Sequence, residues 1–486
     1  MEYLGIIVLV FSFLFLLIIG VPIAFSIGIA GILTMLVSID ALPAFTTFAQ
    51  RMATGLDSFA LLAIPFFVLA GNIMNRGGIA MRLINLARVL VGRWPAGLAF
   101  VNVFANMLFG AISGSAAAAT SAIGAIMGPE MKKEGYDENF SAAVNITSAT
   151  TGLSIPPSNI LIVYSLASGG ASITALFLAG YLPGILTGVS IMLMAMSMMV
   201  YKTKGISGVV KSLLKFTTGI AVIAAIVWGL IAAKESSTAV FNIAFSVLIL
   251  IIAGYITLRA KRSPVKAKQA FKIMFDAIPS LMLLVIVIGG IVAGFFTATE
   301  ASAIAVLYAF ILALLYREMT IKDMPKIIIR SIHTTAIVLL LVAASMGLSW
   351  IMAFENIPQN VSSALLGFSD NKLVILLIIN AILLVVGVFM DMTPAVLIFT
   401  PIFLPIATGL GLSPVHFGII MVLNLSVGLC TPPVGSVLFI GCSIANVKIE
   451  KVIKPLLPMF IAMIVCLLLV TYIPEISMWL PTAFGF

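Results

Sequence analysis

Two stretches decide how this chain folds: Gly152-Leu-Ser-Ile-Pro156-Pro157 and Gly428-Leu-Cys-Thr-Pro432-Pro433. They stand 276 residues apart, and the same offset carries Ser26 onto Ser302, Gly71 onto Gly347, Pro129 onto Pro405 and Ser115 onto Asp391. A shared offset marks an internal repeat, with copies over about 4–201 and 280–477. Gly and Pro are common as kinks in membrane helices, but unrelated kinks explain neither the shared offset nor the parity of crossings described below.

The 486 residues are 62% hydrophobic and 9% charged, with a mean hydropathy of +1.25, whereas a soluble domain carries roughly a quarter of its residues charged. Lipid is the solvent that suits such a surface, so the chain is integral to a membrane. The +9 formal charge does not indicate nucleic acid, because the basic residues lie in short clusters between apolar spans, where they encode topology. Cys430, Cys442 and Cys466 fall inside apolar segments and read as small hydrophobes, not as a disulfide set or metal cluster. The first apolar stretch, 4–19, follows Glu2 with no basic flank or cleavage site and is expected to remain as a membrane helix.

At about 20 residues per crossing, spans are expected near 4–19, 21–38, 58–75, 140–167, 173–201, 216–233, 238–258, 279–295, 298–316, 332–353, 415–443 and 455–474. Two stretches, 95–130 and 373–410, are too long for one helix and break at Gly110-Ala-Ile-Ser-Gly-Ser115 and Gly387-Val-Phe-Met-Asp-Met-Thr-Pro394. Each is read as a hairpin that enters and leaves on one side, since non-helical backbone at membrane depth survives only where protein buries it or water reaches it. Lys and Arg should collect on the cytoplasmic side. With both hairpins re-entrant, all 26 basic residues fall on one face except Arg51, Lys234 and Lys372. Both termini then lie outside.

Each copy has five crossings, and the stretch 216–258 adds two, so the second copy is inverted. The fold class is therefore an all-α polytopic membrane protein of two inverted repeats with re-entrant helical hairpins and broken helices. Secondary transporters recur in this form, with their sites near the midplane at the repeat interface.

The breaks carry the chemistry. In Thr150-Thr-Gly-Leu-Ser-Ile-Pro-Pro-Ser-Asn159, Pro156 and Pro157 remove two N–H donors, Gly152 permits unusual dihedrals, and Ser154, Ser158 and Asn159 offer neutral oxygens. Freed carbonyls and hydroxyls suit a dehydrated Na⁺. Helices restarting near Ser158 and at 115–118 point positive dipole ends inward, which favours an anionic substrate group. Cys430-Thr-Pro-Pro-Val-Gly-Ser436 and Asp391-Met-Thr393 stand in the equivalent places and suggest a second cation site.

Asp391, a carboxylate in an apolar segment, either joins that site or its gate, or caps the following helix. Glu300 is expected to cap or to make a structural hydrogen bond. His333 and His416 are expected at the membrane interface, and Asp40, Glu355 and Asp370 in external loops, solvated or touching a partner. The run from Arg76 to Arg93 is either an amphipathic arm or a plain topology determinant. No G-x-S-x-G, H-E-x-x-H, Cys-x-x-Cys or P-loop is present. The chain reads as no enzyme, and without a nucleotide loop of its own it has an ion gradient as its natural energy source.

Asn145-Ile-Thr-Ser-Ala-Thr-Thr-Gly-Leu-Ser-Ile-Pro-Pro-Ser-Asn159, the hairpin Phe109-Gly-Ala-Ile-Ser-Gly-Ser-Ala116, the stretch Gly294 to Ala301 and Leu429-Cys-Thr-Pro-Pro-Val-Gly435 together resemble the large membrane subunit of TRAP transporters, the tripartite ATP-independent periplasmic systems. The resemblance covers about 1–205 and 265–486. It implies an elevator-type fold, Na⁺ as coupling ion with no other cofactor, a small four-helix membrane subunit, a periplasmic binding protein delivering an organic acid, and a bacterial inner membrane with both termini periplasmic.

The resemblance also divides the chain. Scaffold and arm helices take 1–94 and 279–372, transport-domain hairpins with their broken helices take 95–168 and 373–446, scaffold helices take 169–205 and 447–486, and a linker with two extra helices takes 206–278. Those extra helices, 216–258, depart from what a typical member is expected to have. The family's substrate region carries onto Ser113, Gly114, Ser115, Ser154, Pro156, Ser158 and Asn159. Its Na⁺ region carries onto Ser113, Ser154, Pro156, Asp391, Thr393, Thr431, Pro432, Gly435 and Ser436. The leading expectation is a Na⁺-driven importer of sialic acid or a C4-dicarboxylate. A stand-alone Na⁺- or H⁺-coupled anion exchanger would need no binding protein, and a channel-like component would show neither saturation nor Na⁺ dependence.

Overall fold

The computed structural model describes residues 4–236, 267–369, 371–432 and 435–486. Among these the chain is helical with no strand, and eight helices are long and apolar enough to cross a membrane. Apolar side chains cover much of the outer surface, among them Phe11, Phe15, Leu307, Ile337 and Leu457. Such a surface is stable in lipid, which hydrates nothing and needs no polar cover.

The repeat is visible in the helix ends. The first hairpin consists of Gly97–Ser113 and Ala116–Lys133, the second of Lys372–Phe389 and Met392–Gly409. The offset of 276 residues superimposes the two second arms end for end. Each broken helix follows its hairpin: Glu138–Ala149 and Asn159–Ala167 in the first copy, Pro414–Gly428 and Ser436–Ala445 in the second. Their starts are capped at equivalent positions, where Asp137 Oδ1 accepts from Phe140 N–H at 2.8 Å and Ser413 Oγ accepts from Val415 N–H at 3.2 Å. Local capping chemistry thus fixes the register of both copies.

Without a hydrophobic drive between helices in lipid, small residues and interhelical hydrogen bonds hold such bundles together. Both copies use them at the same place. A Cβ on Gly110 would lie 2.9 Å from Gly152 Cα, and one on Gly387 would lie 3.1 Å from Gly428 Cα, so each hairpin meets its broken helix backbone to backbone. Beside these contacts, Asn106 Nδ2 donates to Asn102 Oδ1 (2.7 Å), Asn145 Oδ1 (3.0 Å) and Ser148 Oγ (2.8 Å). In the other copy Asn424 Nδ2 donates to Asn380 Oδ1 (2.8 Å) and O (2.9 Å). Ser148 and Asn424 are related by the repeat offset.

Hairpins, broken helices, the start of helix Ile173–Ser236 and helix Ile449–Tyr472 form an inner bundle. Around it stands an outer frame in which helix Ala63–Arg76 packs on Ala298–Leu315 and helix Ile23–Ser38 on Met324–Phe354. The hairpin and broken-helix expectations match these elements closely. Other boundaries differ. Residues 41–56, between the expected spans 21–38 and 58–75, form an amphipathic helix. The expected spans 173–201 and 216–233 belong to one helical run, Ile173–Ser236, interrupted at Gly205 (φ 62°, ψ −166°). The expected span 238–258 lies outside the described residues, as does Asp370.

Candidate functional site

At the first hairpin's tip, the helix Gly97–Ser113 stops because Gly114 takes φ +62°, a conformation that costs glycine little. Ser115 then caps the second arm, its Oγ accepting from Ala118 N–H at 3.3 Å. A side chain on Gly114 would come within 2.9 Å of Asn159 Nδ2, so the tip rests on the restart of the broken helix. Two helix N-termini, with their unpaired N–H groups and positive dipole ends, therefore meet at one place. Ser113 is buried, and its Oγ lies 3.4 Å from Ser115 O.

In the unwound stretch, Thr151 to Ser158 are all buried. Ser158 Oγ donates to Leu153 O, the Pro156–Pro157 peptide is cis, and Asn159 Oδ1 is buried without a partner. Ser154 Oγ is likewise buried and unpartnered. It lines a small cavity with Thr150, Thr151, Thr187 and Ser426 and not with Ser113. The first-copy site residues thus fall into two groups, a tip group (Ser113, Gly114, Ser115, Asn159) and a cavity group containing Ser154.

The second copy differs. Asp391, an exposed residue, precedes helix Met392–Gly409 and makes no side-chain cap hydrogen bond. Thr393 is half-buried. Thr431 Oγ1 donates to Val427 O at 2.9 Å, and Pro432 is half-buried. Gly435 N–H donates to Thr431 O at 3.0 Å, while a Cβ there would lie 2.5 Å from Leu429 O and 2.8 Å from Thr431 O. Only glycine lets the chain pass so close to these carbonyls. Ser436, first residue of the following helix, is exposed.

The two copies interlock at this level. Cys430 Sγ lies 3.4 Å from Ile146 O, and Tyr164 OH donates to Pro414 O at 2.6 Å. Among the described residues, the buried set contains no Lys, Arg, Asp or Glu. No group of three or more His, Cys, Asp or Glu side chains among the described residues is poised for a metal. The site can offer neutral oxygens, backbone carbonyls and helix N-termini.

A family model for the tripartite ATP-independent periplasmic transporter, DctM component, matches residues 10–476. The chain belongs to this family. It is 50% identical to the uncharacterized protein YgiK of Salmonella typhimurium over 485 residues, covering 100% of this chain and 99% of that one. It is 34% identical to the C4-dicarboxylate TRAP transporter large permease protein DctM of Rhodobacter capsulatus, covering 97% of each. Among solved structures the YdaH transporter of Alcanivorax borkumensis matches with a TM-score of 0.52 at 13% identity, over 92% of this chain and 90% of that one, which speaks to the fold alone. The protein is a TRAP large permease subunit.

Other sequence expectations can be placed on this permease. Glu300 forms a capping box with Thr297, whose backbone N–H donates to Glu300 Oε2 at 2.8 Å. The arm Ile79–Val91 is amphipathic and anchored: Arg82 stacks 3.5 Å over the Tyr316 ring, and Arg88 pairs with Glu130. His333 is exposed. His416, expected at the interface, is instead buried, with Nδ1 2.6 Å from Ser477 Oγ, because helix Glu475–Ala483 folds back over it. Glu355 is not simply solvated: it accepts from Ser38 Oγ at 2.5 Å and lies against Gly5. Sequence reasoning missed Asn106, Thr187 and Ser426, which sit in apolar runs without a motif.

Proposed function

We propose that this permease imports an organic acid by Na⁺-coupled secondary transport, in an inner membrane with both termini periplasmic, together with a small membrane subunit and a periplasmic binding protein. The observation that carries this reading is the meeting of the first hairpin's tip with the restart of the broken helix, Gly114 against Asn159. That geometry aims two positive helix ends and neutral oxygens at one point, which suits a carboxylate and a small cation together. Delivery by a binding protein removes the need for a buried Arg or Lys, and none is buried among the described residues. The inner bundle moves as a body against the outer frame, an elevator motion that shifts the breaks from one side to the other. A C4-dicarboxylate is the first acid to try, since the Rhodobacter capsulatus relative is named for it, and sialic acid the second.

Proteoliposomes holding this chain with its small subunit should take up labelled acid when the loaded binding protein and an inward Na⁺ gradient are both supplied. Uptake without Na⁺ would remove the coupling. Uptake without the binding protein would instead make the chain a stand-alone anion exchanger.

A further inference from the structure

We infer that the basic ends of helices Ile173–Ser236 and Ile449–Tyr472 form one docking surface for the headgroups of anionic phospholipids. Two lysine clusters far apart in sequence make it: Lys202, Lys204, Lys211 and Lys215 along the first helix, and Lys448, Lys451 and Lys454 at the start of the second. The packing brings them to one level. Cys466 Sγ lies 3.1 Å from Ser190 Oγ where the two helices touch. The helices run antiparallel: Ser477, beyond the end of the second, rests on His416, and neighbouring Pro414 O accepts from Tyr164 OH shortly before the first begins. Fourteen residues on from Ser190 and fourteen back from Cys466, about 21 Å along each axis at 1.5 Å per residue, Lys204 therefore stands level with Val452.

Charge and shape decide the occupant. Elsewhere on the basic side cations stand beside acids: Arg76 faces Asp323, Arg82 Glu318, Arg88 Glu130 and Lys132 Glu138. The lysines of this surface are exposed and make no ion pair among the described residues. Glu450 is the one acid in the two segments, and the sequence carries none from 139 to 234. Gly205 then breaks the first helix in a conformation that essentially glycine alone adopts (φ 62°, ψ −166°). Beyond the break an exposed apolar stripe recurs every four residues, Ile206 (70% exposed), Val210 (58%) and Leu214 (65%), with Lys211 and Lys215 along its edge. Apolar side chains for the acyl region, flanked by lysines for the headgroups, suit a segment lying at a membrane surface. A free phosphate would use the lysines and leave the stripe in water. Lysines that only set topology would need neither the break nor the convergence of two clusters. Each lysine beside an anionic leaflet strengthens association by about fivefold.

The test titrates dioctanoyl phosphatidylglycerol, and dioctanoyl phosphatidylcholine with the same chains, into the full chain purified with its small subunit in neutral detergent, and follows the melting temperature. Phosphatidylglycerol should stabilise the protein more than phosphatidylcholine, and raising KCl from about 50 to 500 mM should erase most of the difference. Lys204→Gln, Lys211→Gln and Lys215→Gln combined should raise the half-saturating phosphatidylglycerol concentration by about tenfold or more, and Lys448→Gln with Lys451→Gln by about fivefold or more. Arginine at the same positions, and Lys322→Gln with Lys326→Gln elsewhere on the basic side, should leave it within about twofold. Equal stabilisation by the two lipids overturns the proposal, as does unchanged binding in both glutamine variants. Inorganic phosphate that competes at the lipid's own concentration makes this a free-anion site and overturns it too. Should one glutamine variant fail to insert or fold, the other variant and the KCl dependence of the wild type decide.

Discussion

The two hairpins share one plan and stand in different places. The first is closed: its arms pack along each other, its first arm lies against the arm helix Ile79–Val91, and its tip is pinned to the frame. A Cβ on Gly71 would sit 2.9 Å from Ser113 O and 3.2 Å from Ser113 Cα. The second hairpin touches itself over a shorter stretch, its second arm leans on helix Met324–Phe354, and its tip presents Phe389, 63% exposed, and Asp391 to the outside of the fold. Gly347, the repeat partner of Gly71, meets the Phe48 ring and not the second tip. A chain built from two equivalent halves is therefore held in an unequal arrangement. The proposed transport cycle calls for exchange between this arrangement and its mirror.

The largest expected effect lies at the contact that the two halves do not share. Gly71→Ala pushes a methyl into Ser113 backbone, which has no room to give, and should cut uptake by about tenfold or more, ~1.4 kcal/mol in the barrier. Gly347→Ala meets a side chain, the buried Phe48 ring, and no hairpin backbone, so its uptake should stay within about threefold of wild type. Equal losses in the two variants would break the comparison.

Next come the buried amides that the halves do share. Asn106→Ala and Asn424→Ala should each lower stability by about 1 kcal/mol, the scale of interhelical hydrogen bonds in membranes. Asn106, which bridges to two residues of helix Glu138–Ala149, Asn145 and Ser148, where Asn424 reaches the single residue Asn380, should cost the more of the two in thermal or denaturant unfolding. The reverse order would mean that the second hairpin is the firmer one.

The smallest effects belong to single oxygens. Ser154→Ala and Thr431→Ala should leave folding intact and raise the Na⁺ concentration for half-maximal uptake by roughly threefold, about 0.7 kcal/mol. Ser154 makes no internal hydrogen bond to lose, and Thr431 loses only its bond to Val427 O. Wild-type Na⁺ activation in both variants would remove these residues from the cation site.

Much of this was legible in the sequence because membrane depth makes irregular backbone conspicuous. Gly110 to Ser115 and Gly387 to Pro394 announced both hairpins, and the Gly-Leu-x-x-Pro-Pro pair announced both broken helices. Helix 41–56 was not legible, since Thr46, Thr47, Gln50 and Arg51 dilute its apolar face and give it the look of a loop. The burial of His416 depends on where a distant C-terminal helix lands, which no local pattern encodes. Thr187 and Ser426 look like ordinary polar residues of apolar helices that bond back to their own turn. The repeat offset, which carries Thr187 onto Met463 and Thr150 onto Ser426, is the one signal the sequence holds for them.

Cysteine accessibility at the two tips probes the inequality of the halves most directly, against a background in which the native Cys430, Cys442 and Cys466 are buried. With a membrane-impermeant maleimide, Phe389→Cys should react from one side while Ser113→Cys is protected. Adding Na⁺ with loaded binding protein should exchange the protection and the side of attack. Reaction of both positions from the same compartment under every condition would contradict an inverted pair of hairpins that trade places.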